Sequence, residues 1–207
     1  MKWRTILILA VLAVAAIASA KSTKLMFTWT NPKYAGGSFK NVLVLAMNGK
    51  PSGRAEFEDR LSAAIARPGV QAVPSYSLLP RPDSTPIDRD QLRDVVRGQR
   101  FDAIVVSRLV KYDQTTTYVP GQDYPLFPYY GTFYGYYGAL YPVVYSPGYL
   151  QTDTAAQIET NVYSTARPDG EIVLTITSNT VNPHSLNKAM DAVAKLVVEQ
   201  LEKNKLI

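Results

Sequence analysis

The sequence of 207 residues contains no cysteine. This absence excludes disulfide bonds, a cysteine nucleophile and a thiolate metal site, and it also excludes a lipid-modified cysteine. The fold must therefore be held together by its apolar core, and a chain of this length can bury enough surface to do so.

Histidine is almost absent as well, since it occurs once, at His184. A Ser-His-Asp triad would have to use this residue, yet the sequence has no G-x-S-x-G motif, and zinc would lack a second histidine. We therefore predict no catalytic residue, no metal site and no cofactor, and we expect a protein that is not an enzyme. An enzyme that uses carboxylates without a sequence signature stays open as the weakest alternative.

The excess of positive charge is small. The net charge of +5 includes Lys2 and Arg4, and without these two residues 20 basic residues face 17 acidic residues. So slight an excess does not indicate a nucleic-acid partner.

Long apolar runs are confined to the N-terminus. Lys2 and Arg4 precede 13 consecutive apolar residues at positions 6–18, and Ala18-Ser19-Ala20 fits a signal-peptidase site. Thirteen residues are too few for a bilayer-spanning helix, which needs ~20. The pattern predicts a signal peptide over residues 1–20, an exported periplasmic protein, and one α/β domain over residues 21–207. An uncleaved N-terminal anchor is the alternative.

Alternating and continuous apolar runs predict the strands. Leu25, Phe27 and Trp29 alternate with other residues and predict a strand with one buried face. The continuous run at 42–46 is typical of a strand buried on both faces. Pro74 places the next strand at a sheet edge. Residues 101–118 form the longest predicted strand, and their polar second half should leave the core as an exposed ribbon.

Three amphipathic segments predict helices. Phe57, Leu61 and Ile65 share one face of the first helix, Asp88 fits the N-cap of the second, and the last covers residues 185–203. The element order is a strand, βαβαβ, an insertion, a hairpin and a helix. We predict an α/β fold with a mixed sheet, in which a βαβαβ parallel core is extended by an antiparallel hairpin and the C-terminal helix packs on one face.

The most unusual segment is the insertion at 118–149. It contains ten of the 14 tyrosines, with five prolines, five glycines and neither lysine nor arginine. A loop without a partner, a protein contact surface and a glycan or membrane-interface contact all fit this composition. Without a basic groove, single-stranded nucleic acid is not expected. The predicted partner-binding residues are Tyr129, Tyr130, Tyr134, Tyr136, Tyr137, Tyr141 and Tyr145.

A second candidate site follows the central strand. Gly49, Lys50, Ser52 and Arg54 lie where a strand passes into a helix, and the N–H groups at a helix N-terminus attract anions. The phosphate-binding motifs G-x-x-x-x-G-K-[ST] and G-x-G-x-x-G are both absent. An anion site and an ordinary loop both remain open.

Several segments together resemble a group of uncharacterised bacterial envelope proteins, among them lipoprotein-like members. The resemblance lies in TWTNP, KNVLVLA, SYSLLP, DAIVVSRLV and YPVVYSPGY, and it covers the chain after the leader. The layout is more remotely similar to the curli-secretion lipoprotein, the TolB N-terminal domain and the lipoprotein activators of penicillin-binding proteins. It implies an interaction module. Lys21 stands where a lipidated cysteine would be expected, so no lipid anchor through cysteine is predicted.

These observations predict a periplasmic, non-enzymatic interaction module of the cell envelope. Its aromatic insertion would contact an envelope protein partner. The alternative is a protein associated with peptidoglycan, another glycan or a membrane surface through the same tyrosines.

Overall fold

The computed structural model describes residues 23–47, 51–80, 87–119 and 149–207. Their strands form one six-stranded sheet in the order β1-β6-β5-β4-β2-β3. The strands are β1 (Thr23–Thr30), β2 (Asn41–Met47), β3 (Gln71–Pro74), β4 (Ala103–Val119), β5 (Tyr149–Ser164) and β6 (Glu171–Val181). The helices are α1 (Pro51–Ile65), α2 (Ser75–Leu78), α3 (Arg89–Gly98) and α4 (Leu186–Lys203).

The parallel half of the sheet is centred on β2. This strand pairs in parallel with β3 on one side and with β4 on the other. Residues 42–46 of β2 are buried, as their continuous apolar sequence predicts. The short β3, which ends at Pro74, lies at the sheet edge because proline has no N–H to donate to a further strand.

The antiparallel half follows from the hairpin. β5 pairs with β4, β6 pairs with β5, and β1 closes the other edge by pairing with β6. The hairpin turn at Arg167–Gly170 places Gly170 at φ +76°, a conformation that glycine adopts without steric cost. The predicted mixed sheet with a βαβαβ core and an antiparallel hairpin is confirmed.

Helices α1 and α4 cover one face of the sheet and enclose the core. Phe57, Leu61 and Ile65 of α1 are buried, as their spacing predicts. α4 begins at the N-cap Ser185, whose hydroxyl accepts a hydrogen bond from the N–H of Lys188. The buried side chains of α4 are Met190, Val193, Ala194, Leu196, Val197, Gln200 and Leu201.

Helix α3 lies over the other face. The Asp88 carboxylate accepts hydrogen bonds from the N–H groups of Asp90 and Gln91, so the predicted N-cap is confirmed. No residue of α3 is fully buried. Among the described residues, no helix is both long and apolar enough to cross a bilayer.

The burial predicted for β1 is wrong. The strand exists, but Leu25, Phe27 and Trp29 are all exposed. β1 is the outermost strand, and α4 reaches only its end, where Thr30 Oγ1 donates a hydrogen bond to Asn204 Oδ1. The three side chains also do not share one face, because the register shifts between Leu25 and Phe27: Leu25 lies opposite Ser178, whereas Phe27 and Trp29 lie opposite Thr177 and Thr175.

Candidate functional site

Two strands extend well beyond their neighbours. The β2–β4 pairing ends at Arg108, and the β5–β6 pairing ends at Ala155. Past these points β4 and β5 continue to pair with each other as far as Val119 and Tyr149. We call residues 109–119 and 149–154 the ribbon. The predicted exposed extension of β4 is confirmed, and the ribbon leads directly into the insertion.

A β-bulge marks the base of the ribbon. The register shifts between Leu109 and Lys111, so Val110 is an extra residue in β4. A bulge bends its strand, and here it also keeps Leu109 and Tyr112 on the same face of the sheet. That face is the one covered by α1 and α4, because Leu109 continues the alternation of the buried Val105 and Ser107.

The helix-side face of the ribbon is apolar at both ends. Leu109 is 47% exposed and Tyr112 58% at the base, while Tyr118 is 62% exposed and its partner Leu150 69% at the tip. Threonines lie between the two ends, with a hydrogen bond between Thr116 and Thr152. Large exposed apolar side chains grouped on one face are typical of a contact surface.

The base of the ribbon opens into a cavity of about 390 Å³. It lies at the carboxyl end of β2, where the parallel pairing of β2 with β4 ends, and open α/β sheets bind ligands at this edge. Its volume falls in the range of small-molecule sites, roughly 300–1,000 Å³. The lining includes Ala46, Met47, Phe57, Leu109, Tyr112, Ile158, Leu186, Ala189, Met190 and Val193.

Two polar residues of the cavity lining, Ser107 and Arg108, have partners within the protein. The hydroxyls of Ser107 and Thr160 lie 2.8 Å apart, and Arg108 Nε donates a hydrogen bond of 3.0 Å to Glu159 Oε1. The Arg108 guanidinium is the main reason that the pKa of Glu159 lies below its ordinary value. A ligand in this cavity would therefore contact mostly apolar side chains.

A buried ionic network lies behind the cavity. Arg54 of α1 is 3% exposed and Glu58 is fully buried, and Arg54 Nε donates to Glu58 Oε1 at 2.9 Å. Ser75 Oγ donates to the same oxygen at 2.8 Å, and Arg54 Nη2 donates to Ser75 Oγ at 2.8 Å. Both buried charges, on Arg54 and Glu58, therefore have hydrogen-bonding partners. A buried charge without a partner would be strongly destabilising.

The Glu58 carboxylate also binds two backbone groups. Its Oε1 accepts from the N–H of Ala46 at 2.9 Å, and its Oε2 accepts from the N–H of Tyr76 at 2.8 Å. One side chain of α1 therefore holds the end of β2 and the start of α2. Because Ala46 also lines the cavity, the network fixes one of its walls.

The predicted site residues are only partly placed by the structure. The seven tyrosines at 129–145, together with Gly49 and Lys50, lie outside the described residues. Ser52 is exposed in the first turn of α1, whereas the Arg54 guanidinium points inward to Glu58. The anion-binding hypothesis and the tyrosine surface stay predictions, and Arg54 has a structural partner that the sequence analysis did not assign.

Sequence analysis missed Glu58 and the cavity. The signal for Glu58 is its spacing, because positions 54, 57, 58, 61 and 65 all fall on the buried face of α1. A charged pair at i and i+4 within such a stripe indicates a buried ion pair. Within residues 23–47, 51–80, 87–119 and 149–207, no group of three or more acidic or histidine side chains could hold a metal ion.

No protein-family model and no curated protein sequence matches this chain. Among solved structures, PelC from Paraburkholderia phytofirmans, a dodecamer, is similar with a TM-score of 0.45 and 12% identity, covering 85% of this chain and 96% of that chain. Lipoprotein GNA1162 from Neisseria meningitidis has a TM-score of 0.42 and 11% identity, with 79% and 99% covered. This likeness is loose, and no property of those proteins is transferred to this chain.

Proposed function

We propose that this protein is a non-enzymatic interaction module of the cell envelope. Its contact surface would be the cavity, the helix-side face of the ribbon and the tyrosine-rich insertion that the ribbon carries. The observation that supports this proposal most is continuity, since Leu109 and Tyr112 belong both to the cavity wall and to the exposed ribbon face. The signal-peptide pattern of residues 1–20 supports the location.

A protein partner suits this surface. Tyrosine and leucine side chains supply large apolar contact area, and tyrosine is common among the residues that dominate binding energy. The ribbon also offers backbone edges, because β4 beyond Arg108 and β5 beyond Ala155 each have one side without a neighbouring strand among the described residues. An extended segment of a partner could add to such an edge.

The non-enzymatic part of the proposal is supported by the charge of the cavity. Arg108 is the one charged residue in its described lining, and it is paired with Glu159. General acid–base catalysis needs a titratable group that can reach a substrate. The other acidic group nearby, Glu58, directs its hydrogen bonds to Arg54 and to neighbouring protein groups.

The two faces of the ribbon provide a matched experiment. Tyr118 and Tyr149 are both exposed tyrosines near the tip, but they lie on opposite faces because Tyr118 pairs with Leu150 and Val119 pairs with Tyr149. A photocrosslinking residue at position 118 should capture a specific protein from envelope extracts, and the Tyr112→Ser variant should reduce that yield severalfold. The same crosslinker at position 149 serves as the control.

Two outcomes would contradict the proposal. Equal capture from positions 118 and 149 would show that the helix-side face has no special role. Efficient sedimentation with purified peptidoglycan, unchanged by Tyr112→Ser, would favour the glycan-associated alternative and place binding outside the cavity and ribbon base.

A further inference from the structure

A second groove, of about 350 Å³, lies on the opposite face of the sheet, between α3 and the β5–β6 turn. Its floor is formed by apolar strand residues, namely Leu45, Ile104 and Val106, with Tyr163 beside them. Leu92 and Val96 of α3 form one wall. Because the groove and the cavity lie on different faces, an inference about the groove does not rest on the proposed function.

Arginines border this apolar floor. Arg89, Arg93 and Arg97 recur every fourth residue along α3, so they form one stripe about 12 Å long at 1.5 Å per residue. Arg167 lies across the groove on the β5–β6 turn, with Asp169 as the one acidic residue in the described lining. The lining thus carries four positive charges and one negative charge.

Two of these four arginines form ion pairs, whereas Arg89 and Arg97 have no acidic partner within 4.0 Å among the described residues. Arg93 contacts Asp90 at 2.7 Å and Arg167 contacts Glu171 at 3.5 Å, and both pairs are largely exposed on the arginine side. Exposed pairs of this kind contribute little free energy, so an incoming anion can exchange with them. Guanidinium groups also bind phosphate in a two-pronged geometry that lysine cannot match.

The floor favours an acyl chain over a peptide. Ile104 and Val106 use their backbone groups in the ladders to β2 and β5, so these strands leave no hydrogen-bonding backbone edge at the floor. A peptide laid across the floor would lose hydrogen bonds from its own backbone, whereas a hydrocarbon chain has none to lose. An apolar chain attached to an anionic head therefore matches both parts of the groove.

We propose that this groove binds an anionic phospholipid. The phosphodiester lies along the arginine stripe of α3, and one acyl chain lies on the floor formed by β2 and β4. Since anionic lipids are membrane components, the same contacts would hold α3 and the β5–β6 turn against a membrane surface.

The test uses the full chain and a soluble lipid. Dihexanoyl-phosphatidylglycerol, kept below its micelle concentration, should bind by calorimetry. Dihexanoyl-phosphatidylcholine should bind about tenfold more weakly, because its head has no net negative charge. Glycerophosphoglycerol, which is the same head without acyl chains, should also bind about tenfold more weakly or worse.

A charge-matched pair of variants locates the site. Arg89→Gln combined with Arg97→Gln should lower the affinity for dihexanoyl-phosphatidylglycerol about tenfold or more. Lys188→Gln combined with Lys195→Gln removes the same charge from exposed positions on α4, which covers the other face, and should leave the affinity unchanged. Circular dichroism and thermal unfolding check that both double variants fold.

Vesicles extend the test to a membrane. The protein should sediment with phosphatidylcholine vesicles that contain phosphatidylglycerol and not with phosphatidylcholine alone, and the arginine variant should lose this binding. Equal losses in the arginine and lysine variants would overturn the proposal in favour of nonspecific charge attraction. If glycerophosphoglycerol binds as tightly as the lipid, the groove recognises a soluble phosphate compound and not an acyl chain. If an acidic, leucine-containing peptide binds more tightly than the lipid, the ligand is a protein segment.

Discussion

Asn182 and Thr154 exchange two hydrogen bonds at the point where the ribbon leaves the sheet. The N–H of Asn182 donates to the carbonyl of Thr154 at 2.8 Å, and the N–H of Thr154 donates to Asn182 Oδ1 at 2.7 Å. Asn182 Nδ2 also donates to Asp153 Oδ1 at 2.7 Å. Hydrogen bonds from the Gln151 amide and then from Asn182 lower the pKa of Asp153. The Asn182 side-chain oxygen thus takes the place of a backbone carbonyl and extends the hydrogen bonding between β5 and β6 by one residue.

Asn182→Ala should loosen the base of the ribbon. The substitution removes the acceptor for the Thr154 N–H, and it leaves at φ +44° a residue without the local side-chain hydrogen bonds that let asparagine adopt this conformation. We expect the free energy of unfolding to fall by about 1–2 kcal/mol. Amide hydrogen exchange at Thr154 should accelerate. Asn182→Gly is the control, because glycine tolerates the backbone angle and should recover part of the loss; equal losses in both variants would mean that the angle plays no part.

The Arg54–Glu58 pair should be strongly coupled. Glu58→Met leaves Arg54 charged and buried, and it removes the acceptor of the Ala46 and Tyr76 N–H groups. A broken buried pair costs about 3–5 kcal/mol. Arg54→Met together with Glu58→Met should cost clearly less than the sum of the single changes. Urea unfolding of the four proteins gives the coupling free energy, and simple additivity would contradict a shared network.

The Arg108–Glu159 pair predicts a pH dependence. Since the folded pKa of Glu159 lies below its ordinary value, its contribution to stability is present above the unfolded pKa, about 4.3, and is lost as pH falls through the folded pKa. Both side chains are partly exposed, so the contribution should not exceed about 1 kcal/mol. Wild type should be more stable than Glu159→Gln at neutral pH, and urea midpoints should converge in acid. A gap that persists at low pH would rule out ionisation as its cause.

A larger side chain in the cavity should lower ligand binding without lowering the stability of the protein. Ala189 lines the cavity from the first turns of α4, and leucine is nearly as good a helix former as alanine. Ala189→Leu should leave the free energy of unfolding within about 1 kcal/mol of wild type, while an apolar fluorescent dye should bind less. Lys195→Leu adds an apolar side chain to an exposed position of the same helix and is the control. Undiminished dye binding by Ala189→Leu would show that the dye does not use this cavity.

The sequence predicts the position or start of a strand or helix well where a single residue determines it. Pro74 places β3 at an edge because proline cannot donate a ladder hydrogen bond. Asp88 begins α3 because its carboxylate accepts hydrogen bonds from the first N–H groups of the helix. Residues 113–117 of β4 are exposed because their polar side chains gain little from burial. In each case the cause lies within a few residues of its effect.

Other features depend on distant parts of the chain. The alternation of Leu25, Phe27 and Trp29 predicts one shared face, but the register shift between Leu25 and Phe27 places Leu25 on the opposite face from the other two. The bulge at Val110 shifts the alternation in β4, so the faces of the ribbon cannot be counted from its sequence. The cavity and the groove form where helices lie beside strands that are distant in the sequence. No short stretch of the sequence indicates how these elements will be placed relative to each other.

The pairing of β1 with β6 joins the first described strand to the last. Thr23 lies opposite Thr180, and the two hydroxyls form a buried hydrogen bond across 157 positions of chain. Synthesis runs from the N-terminus, so β1 emerges long before β6, its neighbour among the described strands. Until the C-terminal hairpin has been made, Leu25, Phe27 and Trp29 belong to an unpaired apolar segment of the kind that chaperones recognise and that aggregates readily. Because closing so long a loop is entropically costly, we expect the docking of β1 to be a late step in folding.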